Sequence, residues 1–491
     1  MFTSVLVLLL GVLVIPILDR LIAARRLGFS ALLIAGGALL SLLLPGGKSP
    51  SSLVLSPWRP LMESELAFKI DGLAFVFAVS MLLLGLTSFS LSLGDEGVEA
   101  RLYVARLILL AAGLSFVFSA DLLTLCFSWI FLEFALVLTE ATSSVRRPHA
   151  ERMAQVLGVL ALMMAAFLLD SGLPFQTFLA LAVLIRIGIY PLRLWKLAEA
   201  RSQALPYLIS TGSGLYLLVR TQPSSGLLTA LGLMAFLIGS MLAWLEGGSP
   251  RFVAISQVGY AVLVGSVARP LAAAVNLLLC LGLLFGQDRP EAAGQLREGV
   301  RGEPWQRAPL ALALVSLIGL PFTLGFVSRW LLYNALPLQG LWILVLSLLA
   351  EVMLSASLLR RWLASSPGRL PAAHWAGVAF LAVPLLLFGF FPPLIREGAL
   401  PDLFHSAEAA LWAILLSPPL GGYVLHRWCK VPAPLSARLS SLLELDWLYE
   451  PLGRLLGNAE AIFLGIGRAI EGRSYVGWAL LAVFLFLLFL W

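Results

Sequence analysis

The sequence predicts an all-α polytopic membrane protein with about sixteen transmembrane helices of ~20 residues each. Three observations carry this fold class. The 491 residues are 60% hydrophobic and only 12% charged, with a mean hydropathy of +0.95, far more apolar surface than a soluble fold of this size can bury. Apolar runs of spanning length recur almost without pause. Basic residues gather in alternate connections between those runs, as the positive-inside rule requires.

Helices are expected near 4–19, 28–45, 71–93, 102–118, 121–141, 152–169, 173–192, 204–219, 226–245, 251–268, 270–287, 308–330, 339–361, 374–391, 405–426 and 475–491. The first run lacks a basic flank, and Asp19 and Arg20 follow it directly, so it reads as a membrane helix rather than a cleaved signal. With the N-terminus outside, the odd-numbered connections hold Arg20, Arg25, Arg26, Arg101, Arg146, Arg147, Arg193, Lys196, Arg251, Arg360 and Arg361. The even ones hold little besides Arg220, Arg269, Arg396 and a longer stretch with Lys48, Arg59 and Lys69. The organisation that follows is an N-terminal section 1–70, a first core 71–287, a polar cytoplasmic linker 288–307, a second core 308–430, an amphipathic segment 431–474 and a last span 475–491.

The amphipathic segment repeats apolar residues at helical spacing, among them Leu439, Leu443, Trp447, Leu455 and Ile466, with charges between them and a break at Pro451. Such a helix lies on a surface. It either anchors the last span at the interface or braces neighbouring subunits, and periodicity does not separate the two.

Charges inside apolar runs are costly, by about 2.5–3.5 kcal/mol on insertion scales, and face a bundle interior or a wet cavity. Arg186 and Glu351 each sit deep in such a run. Glu133 lies about three turns into the helix that starts near Asp121, and Glu140 follows at i+7, nearer the interface. A carboxylate there can hold a proton or pair with a buried cation; a single structural ion pair is the plainer reading. Arg193 is again seven residues after Arg186, with Lys196 beyond it. Pro191, Pro206 and Pro321 interrupt or crowd their helices, and Arg329 follows the last of them. Irregular backbone at membrane depth is tolerated only inside protein or beside water, and paired broken helices point to an ion path. Small residues from Ser210 to Gly214 equally explain close helix packing.

Other chemistry is excluded at the level of motifs. His149, His374, His405 and His426 are scattered without metal-ligand spacing, and the three cysteines form no CxxC. Nothing resembles a dinucleotide fingerprint, a P-loop or a nucleophile elbow. No cofactor, metal or nucleic acid is therefore expected; the bilayer surrounds the chain, and charges kept inside its helices point to ions or protons.

The runs Ser119–Trp129, Pro191–Trp195, Gly214–Arg220, Ile255–Tyr260 and Gly319–Ser328 together resemble the proton-translocating membrane subunits of respiratory complex I and of Mrp-type cation/proton antiporters. The resemblance implies two inverted five-helix repeats, each with a broken helix, and an amphipathic surface helix before the last span. It implies a subunit that couples ion movement to a partner's redox or antiport reaction in a prokaryotic cell membrane. A non-conducting scaffold, a stand-alone transporter and a subunit of a bicarbonate-uptake complex stay open. The chain departs from that pattern where it matters. The family's Glu after the tryptophan is Ile130 here, its buried Lys is Arg186, and its usual His is Arg193. Arg329 holds the second Lys or Glu position, and the His and Lys of the polar axis near 206–213 and 275–285 are absent. A lysine can release a proton when buried and an arginine in effect cannot, so the resemblance implies either a lost relay or a path rerouted through Glu133 and Glu351.

Overall fold

The computed structural model describes residues 3–21, 24–44, 51–56, 66–93, 99–142, 149–168, 172–191, 204–223, 225–287, 307–338, 340–364, 372–390 and 409–429, with isolated positions at 438, 439, 441, 443 and 451. Among them the chain forms sixteen α-helices and one hairpin. The helices are α1 (Thr3–Asp19), α2 (Ala24–Leu43), α3 (Gly72–Ser92), α4 (Ala100–Phe118), α5 (Leu122–Ala141), α6 (His149–Phe167), α7 (Leu173–Ile187) and α8 (Ala204–Thr221). They continue as α9 (Gly226–Leu245), α10 (Pro250–Val267), α11 (Leu271–Gln287), α12 (Ala308–Ile318), α13 (Leu324–Ala335), α14 (Leu341–Ala364), α15 (Ala372–Phe390) and α16 (Ala409–Trp428). Seven of them, α2, α3, α4, α5, α9, α10 and α14, are each long and apolar enough to cross a bilayer alone.

Three differences from the sequence expectation stand out. The single run 308–330 is two helices, α12 and α13, separated at Gly319–Thr323. The run 173–192 stops early, at Ile187. The connection before α3 holds an antiparallel hairpin, β1 (Ser51–Ser56) with β2 (Leu66–Ile70). The sequence alone predicts a loop for this stretch, and contacts hold the hairpin in place. The Ala67 carbonyl accepts from the Ala120 N–H, the Ala67 N–H donates to Thr124, and Phe68 bridges to Ser119. The linker 288–306, nearly all of 431–474 and the last span 475–491 lie outside the described residues.

Helix direction alternates because polar ends meet at two levels. At one end Asp71 caps α3 through the Ala74 N–H at 2.9 Å and pairs with Arg220 at the end of α8. Asp121 caps α5 through the Thr124 N–H at 2.7 Å at the same level. At the other end Arg361 of α14 donates to the Gly248 carbonyl between α9 and α10, and Arg307, just before α12, stacks on Trp362 of α14. Short caps of this kind satisfy the first orphan N–H groups of each helix.

Within the bundle, α8, α10 and α11 are buried almost throughout, whereas α1 and α16 lie at the edge. Greasy faces cannot choose neighbours in lipid; small residues and polar groups do. One close approach is between α9 and α10. A Cβ on Gly239 would stand 2.4 Å from the Ser256 nitrogen, and one on Gly259 2.3 Å from the Phe236 nitrogen. There the helices touch backbone to backbone, and Ser240 and Ser256 hydrogen-bond at 2.8 Å.

Two outcomes follow from this packing. Gly259→Leu wedges α9 from α10 and should cost about 1–3 kcal/mol, the usual range for overpacking, read as a lower thermal midpoint in detergent. Gly226→Ala, which meets nothing within 4 Å, should leave the midpoint in place. The second concerns acid. Burial pushes the Asp71 carboxyl up, but the Ala74 N–H and the Arg220 guanidinium outweigh it, and its pKa lies below the usual aspartate value. Its stabilisation is therefore complete above about pH 3.9, the unfolded value, and is lost as pH falls through the lower folded value. Asp71→Asn should weaken the protein at neutral pH and flatten the acid limb of its stability curve.

Candidate functional site

Two charged centres occupy the bundle, each beside a helix break. The first break follows α7. The chain turns out of the helix at Gly188, in the left-handed region at φ 70°. The Gly188 N–H donates to the Leu184 and Ile185 carbonyls and the Ile189 N–H to Leu184. This closure satisfies carbonyls that would otherwise be orphaned at membrane depth. The second break repeats it. Gly319 sits at φ 78°, its N–H reaches the Val315 and Ser316 carbonyls, and the Leu320 N–H reaches Val315. Thr323 then caps α13 through the Phe326 N–H at 3.2 Å. Pro191 follows the first break and Pro321 lies within the second. Pro206 stands in the first turn of α8, where its missing N–H costs nothing.

Arg186, in the last turn of α7, is fully buried. It is ion-paired with Glu133 of α5, whose side chain is 21% exposed. It also donates to Ser213 of α8 at 2.8 Å and to Gln155 of α6 at 3.2 Å. Its guanidinium lies over Trp129 and Phe116, 5.0 and 5.6 Å from the ring centroids. Five helices thus meet on one guanidinium. A cation also suits this position because the C-terminal end of a helix carries partial negative charge.

Arg329 does the equivalent at the second break. It pairs with Glu351 of α14 at 2.9 Å, and both side chains are 1% exposed. It donates to the Gly325 carbonyl at 3.3 Å and to the Leu317 carbonyl at the end of α12. It also lies 5.3 Å from the Tyr260 ring centroid. Gly319 has no Cβ to spare: one built there would fall 2.3 Å from Arg329 Cδ. The arginine fills the gap between the half-helices and binds their loose ends. Arg360, the other partner considered for Glu351, is exposed at the end of α14.

Between the centres the bundle interior is polar but neutral. Thr211, Ser213, Gln257, Asn276 and Ser316 are each at most 1% exposed. Asn276 Oδ1 accepts from Ser316 at 2.6 Å, and Ser316 accepts the Gly325 N–H at 3.2 Å. Tyr260 donates to Ser328 at 3.0 Å. Buried hydroxyls and amides in such chains must be satisfied and so fix the packing.

Of the residues singled out in the sequence, Glu133 with Arg186 and Arg329 with Glu351 form two separate pairs. Glu140 lies at the end of α5 and is half-buried. Arg193 and Lys196 lie outside the described residues. Gln155, Ser213, Tyr260 and Phe116 were missed as partners of these charges. The two polar ones had a signal, since each interrupts an apolar run, whereas the aromatic stacking had none. Arg106 is buried on α4 and donates to Ser92 at 3.0 Å. Among the described residues no three His, Cys, Asp or Glu side chains gather as a metal site would require.

The backbone and the sequence both have relatives. Over 99% of its length the chain matches a subunit of the Mrp complex from Dietzia sp., with a TM-score of 0.75 and 19% identity, covering 62% of that chain. It matches a subunit of respiratory complex I from Thermus thermophilus with a TM-score of 0.58 and 20% identity, over 80% of this chain and 98% of that one. The NADH-quinone oxidoreductase subunit N of Cereibacter sphaeroides is 30% identical over 203 residues, or 35% of this chain. That of Chlorobium chlorochromatii is 24% identical over 361 residues, or 58% of this chain. In fold and sequence the chain is a divergent relative of the antiporter-like membrane subunits found in these complexes. It spans 45% of the length of the Cereibacter protein and 70% of the Chlorobium one, and no protein-family model matches it.

Against this superfamily the departures acquire a geometry. Ile130, where the resemblance implies a Glu, is half exposed, and the acid one turn later is the one that meets Arg186. Neutral Ser213 and Asn276 stand in the two stretches where the superfamily keeps His or Lys.

The dry pair gives a sharp test. Arg329→Leu or Glu351→Leu alone strands a buried charge and should cost about 3–5 kcal/mol, whereas the double leucine variant recovers most of that loss. Thermal midpoints of the four proteins in detergent give the coupling. Additive losses would mean that the two side chains do not act as a pair.

Proposed function

We propose that this chain is a membrane subunit of a multisubunit complex of the NADH:quinone oxidoreductase or Mrp antiporter type. The complex moves H+ or Na+ across a bacterial cell membrane and couples that movement to a partner subunit's redox or antiport reaction. The observation that carries this reading is the pair of buried arginine–carboxylate bridges, one at each helix break. A membrane protein keeps charges at that depth for ions or protons, and helix breaks beside them are the usual mark of a path.

The residues assign different work to the two centres. Neither arginine can hand on a proton, because a guanidinium in effect never loses its charge in a protein. Only the carboxylates can. Glu351 is sealed in a dry pair, so it serves as a brace and a fixed field. Glu133 has an exposed edge, so it can take up or release a proton while Arg186 holds the opposite charge in place. Glu140, nearer the helix end, extends this path toward the membrane face; Arg193 and Lys196, the further candidates, lie outside the described residues. In this reading 71–287 holds the first antiporter-like repeat and the helices that follow it, and 308–430 the remaining core helices, with a linker at 288–307 and an amphipathic segment at 431–474. The N-terminus is outside, so the end carrying Gly248, Arg307 and Arg361 faces the cytoplasm.

A second reading has a specific observation behind it. The neutral axis of Thr211, Gln257 and Asn276 offers hydroxyls and amides but no group that changes charge near neutral pH. A non-conducting scaffold subunit would look the same.

Ion flux through the purified, reconstituted complex separates the two. Glu133→Gln should slow flux by about tenfold or more, the effect of raising a barrier by ~1.4 kcal/mol. Glu351→Gln should lower stability more than flux. Undiminished flux in both variants would leave the scaffold reading standing and remove the path.

A further inference from the structure

The outward face of α14 is an apolar stripe that ends in a cation. Trp342, Val345, Leu349 and Leu363 are its exposed large side chains. Arg360, also exposed, stands eighteen residues after Trp342. That is five whole turns of about 3.6 residues, so the two share one face. From Leu349 to Arg360 the helix rises roughly 16 Å at ~1.5 Å per residue, about half of a ~30 Å hydrocarbon core. The stripe therefore offers acyl chains one leaflet of apolar surface, and then a guanidinium where head groups begin.

Other arginines stand at the same level. Arg360 lies along the α9–α10 turn, where a Cβ on Gly247 would stand 3.4 Å from its Nε. Arg361 donates to the Gly248 carbonyl of that turn, Arg251 follows it in the first turn of α10, and Arg307 stacks on Trp362. α16 runs beside α14 in the same direction, since Gly421 faces Val352 and Gly422 faces Ser355 and the Ala356 nitrogen. That register brings Arg427 and Trp428 to the level of Arg360 and Trp362, and Trp428 is 81% exposed. Among the described residues of these helix ends Glu246 is the one carboxylate against five arginines. Arg307, Arg360 and Arg427 form no ion pair among the described residues. The surface is therefore positive. An arginine fork takes two phosphate oxygens together, and the start of α10 beside it adds partial positive charge. Tryptophans settle at the membrane interface, and basic pockets between membrane helices suit anionic head groups. A soluble anion would use the arginines without the stripe, and an uncharged lipid the stripe without the arginines.

We propose that the outward face of α14, between the α9–α10 turn and α16, binds an anionic phospholipid. Its acyl chains lie along the stripe from Leu349 to Leu363, and its head group rests on Arg360 and Arg427. The site holds whether or not the chain itself moves ions.

Native mass spectrometry of the full-length chain in detergent tests the proposal with defined lipids. Phosphatidylglycerol, with one negative charge, and phosphatidylcholine, with none, are added in equal amounts. The unmodified chain should retain phosphatidylglycerol in preference, and equal retention of the two overturns the proposal. Arg360→Gln with Arg427→Gln should lower the retained phosphatidylglycerol by about tenfold. Arg269→Gln, an exposed arginine at the opposite end of α10, should leave it unchanged. Retention that survives the double variant, or falls as far in the control, overturns the proposal. Excess inorganic phosphate should leave the lipid in place; its displacement would make a free anion the ligand and overturn the lipid site. A second arm works in host membranes, where benzoyl-phenylalanine replaces the exposed Leu363. Irradiation should yield a phospholipid adduct. An adduct with an acidic segment of another polypeptide would make this face a protein interface and overturn the proposal.

Discussion

A guanidinium inside a membrane cannot shed its proton and cannot be left alone, and much of this structure follows from that constraint. Arg186 has to be met by a carboxylate, a hydroxyl, an amide and two aromatic faces, and meeting it brings α4, α5, α6 and α8 to the end of α7. Arg329 likewise gathers α10, α12 and α14 around α13. In hydrocarbon, apolar side chains have little reason to prefer one helix over another. Buried charges supply that preference, because only one arrangement satisfies them.

The helix breaks and the charges need each other. A break exposes backbone carbonyls at membrane depth, and those carbonyls must find donors. At the second break Arg329 is such a donor, and Gly319 must lack a Cβ to admit it. Lysine could neutralise the same charge with a compact ammonium, but it lacks the planar fork that reaches a carbonyl and a carboxylate together. Exchanging the superfamily's lysine for arginine therefore trades proton exchange for rigidity. The first centre is less sealed. Its acid is 21% exposed, which is why proton exchange is assigned to Glu133.

The neutral interior fits the same trade. Asn276, Ser316 and the Gly325 N–H form a short network across the second break, where a titratable group would change charge and disturb its neighbours. Hydroxyls and amides keep the helices in register at every pH that the membrane meets. What remains able to change charge among the residues of the two centres is the pair of carboxylates, and only one of them is open.

Read alone, the sequence determined the membrane class, the position of nearly every described helix and the depth of the charges. All three depend on the length and order of apolar runs, which are local properties. It also exposed the interruption near Pro321, because glycine and proline act on their own backbone. It did not determine that a hairpin precedes α3 or which carboxylate meets which arginine. Helices that are apolar on all sides carry no facing information, so Glu351 could have met Arg329 or Arg360 on sequence grounds. The tertiary structure decided these pairings and the partners Gln155 and Ser213. Only the packed bundle brings together groups from distant runs and makes one arrangement cheaper than its rivals.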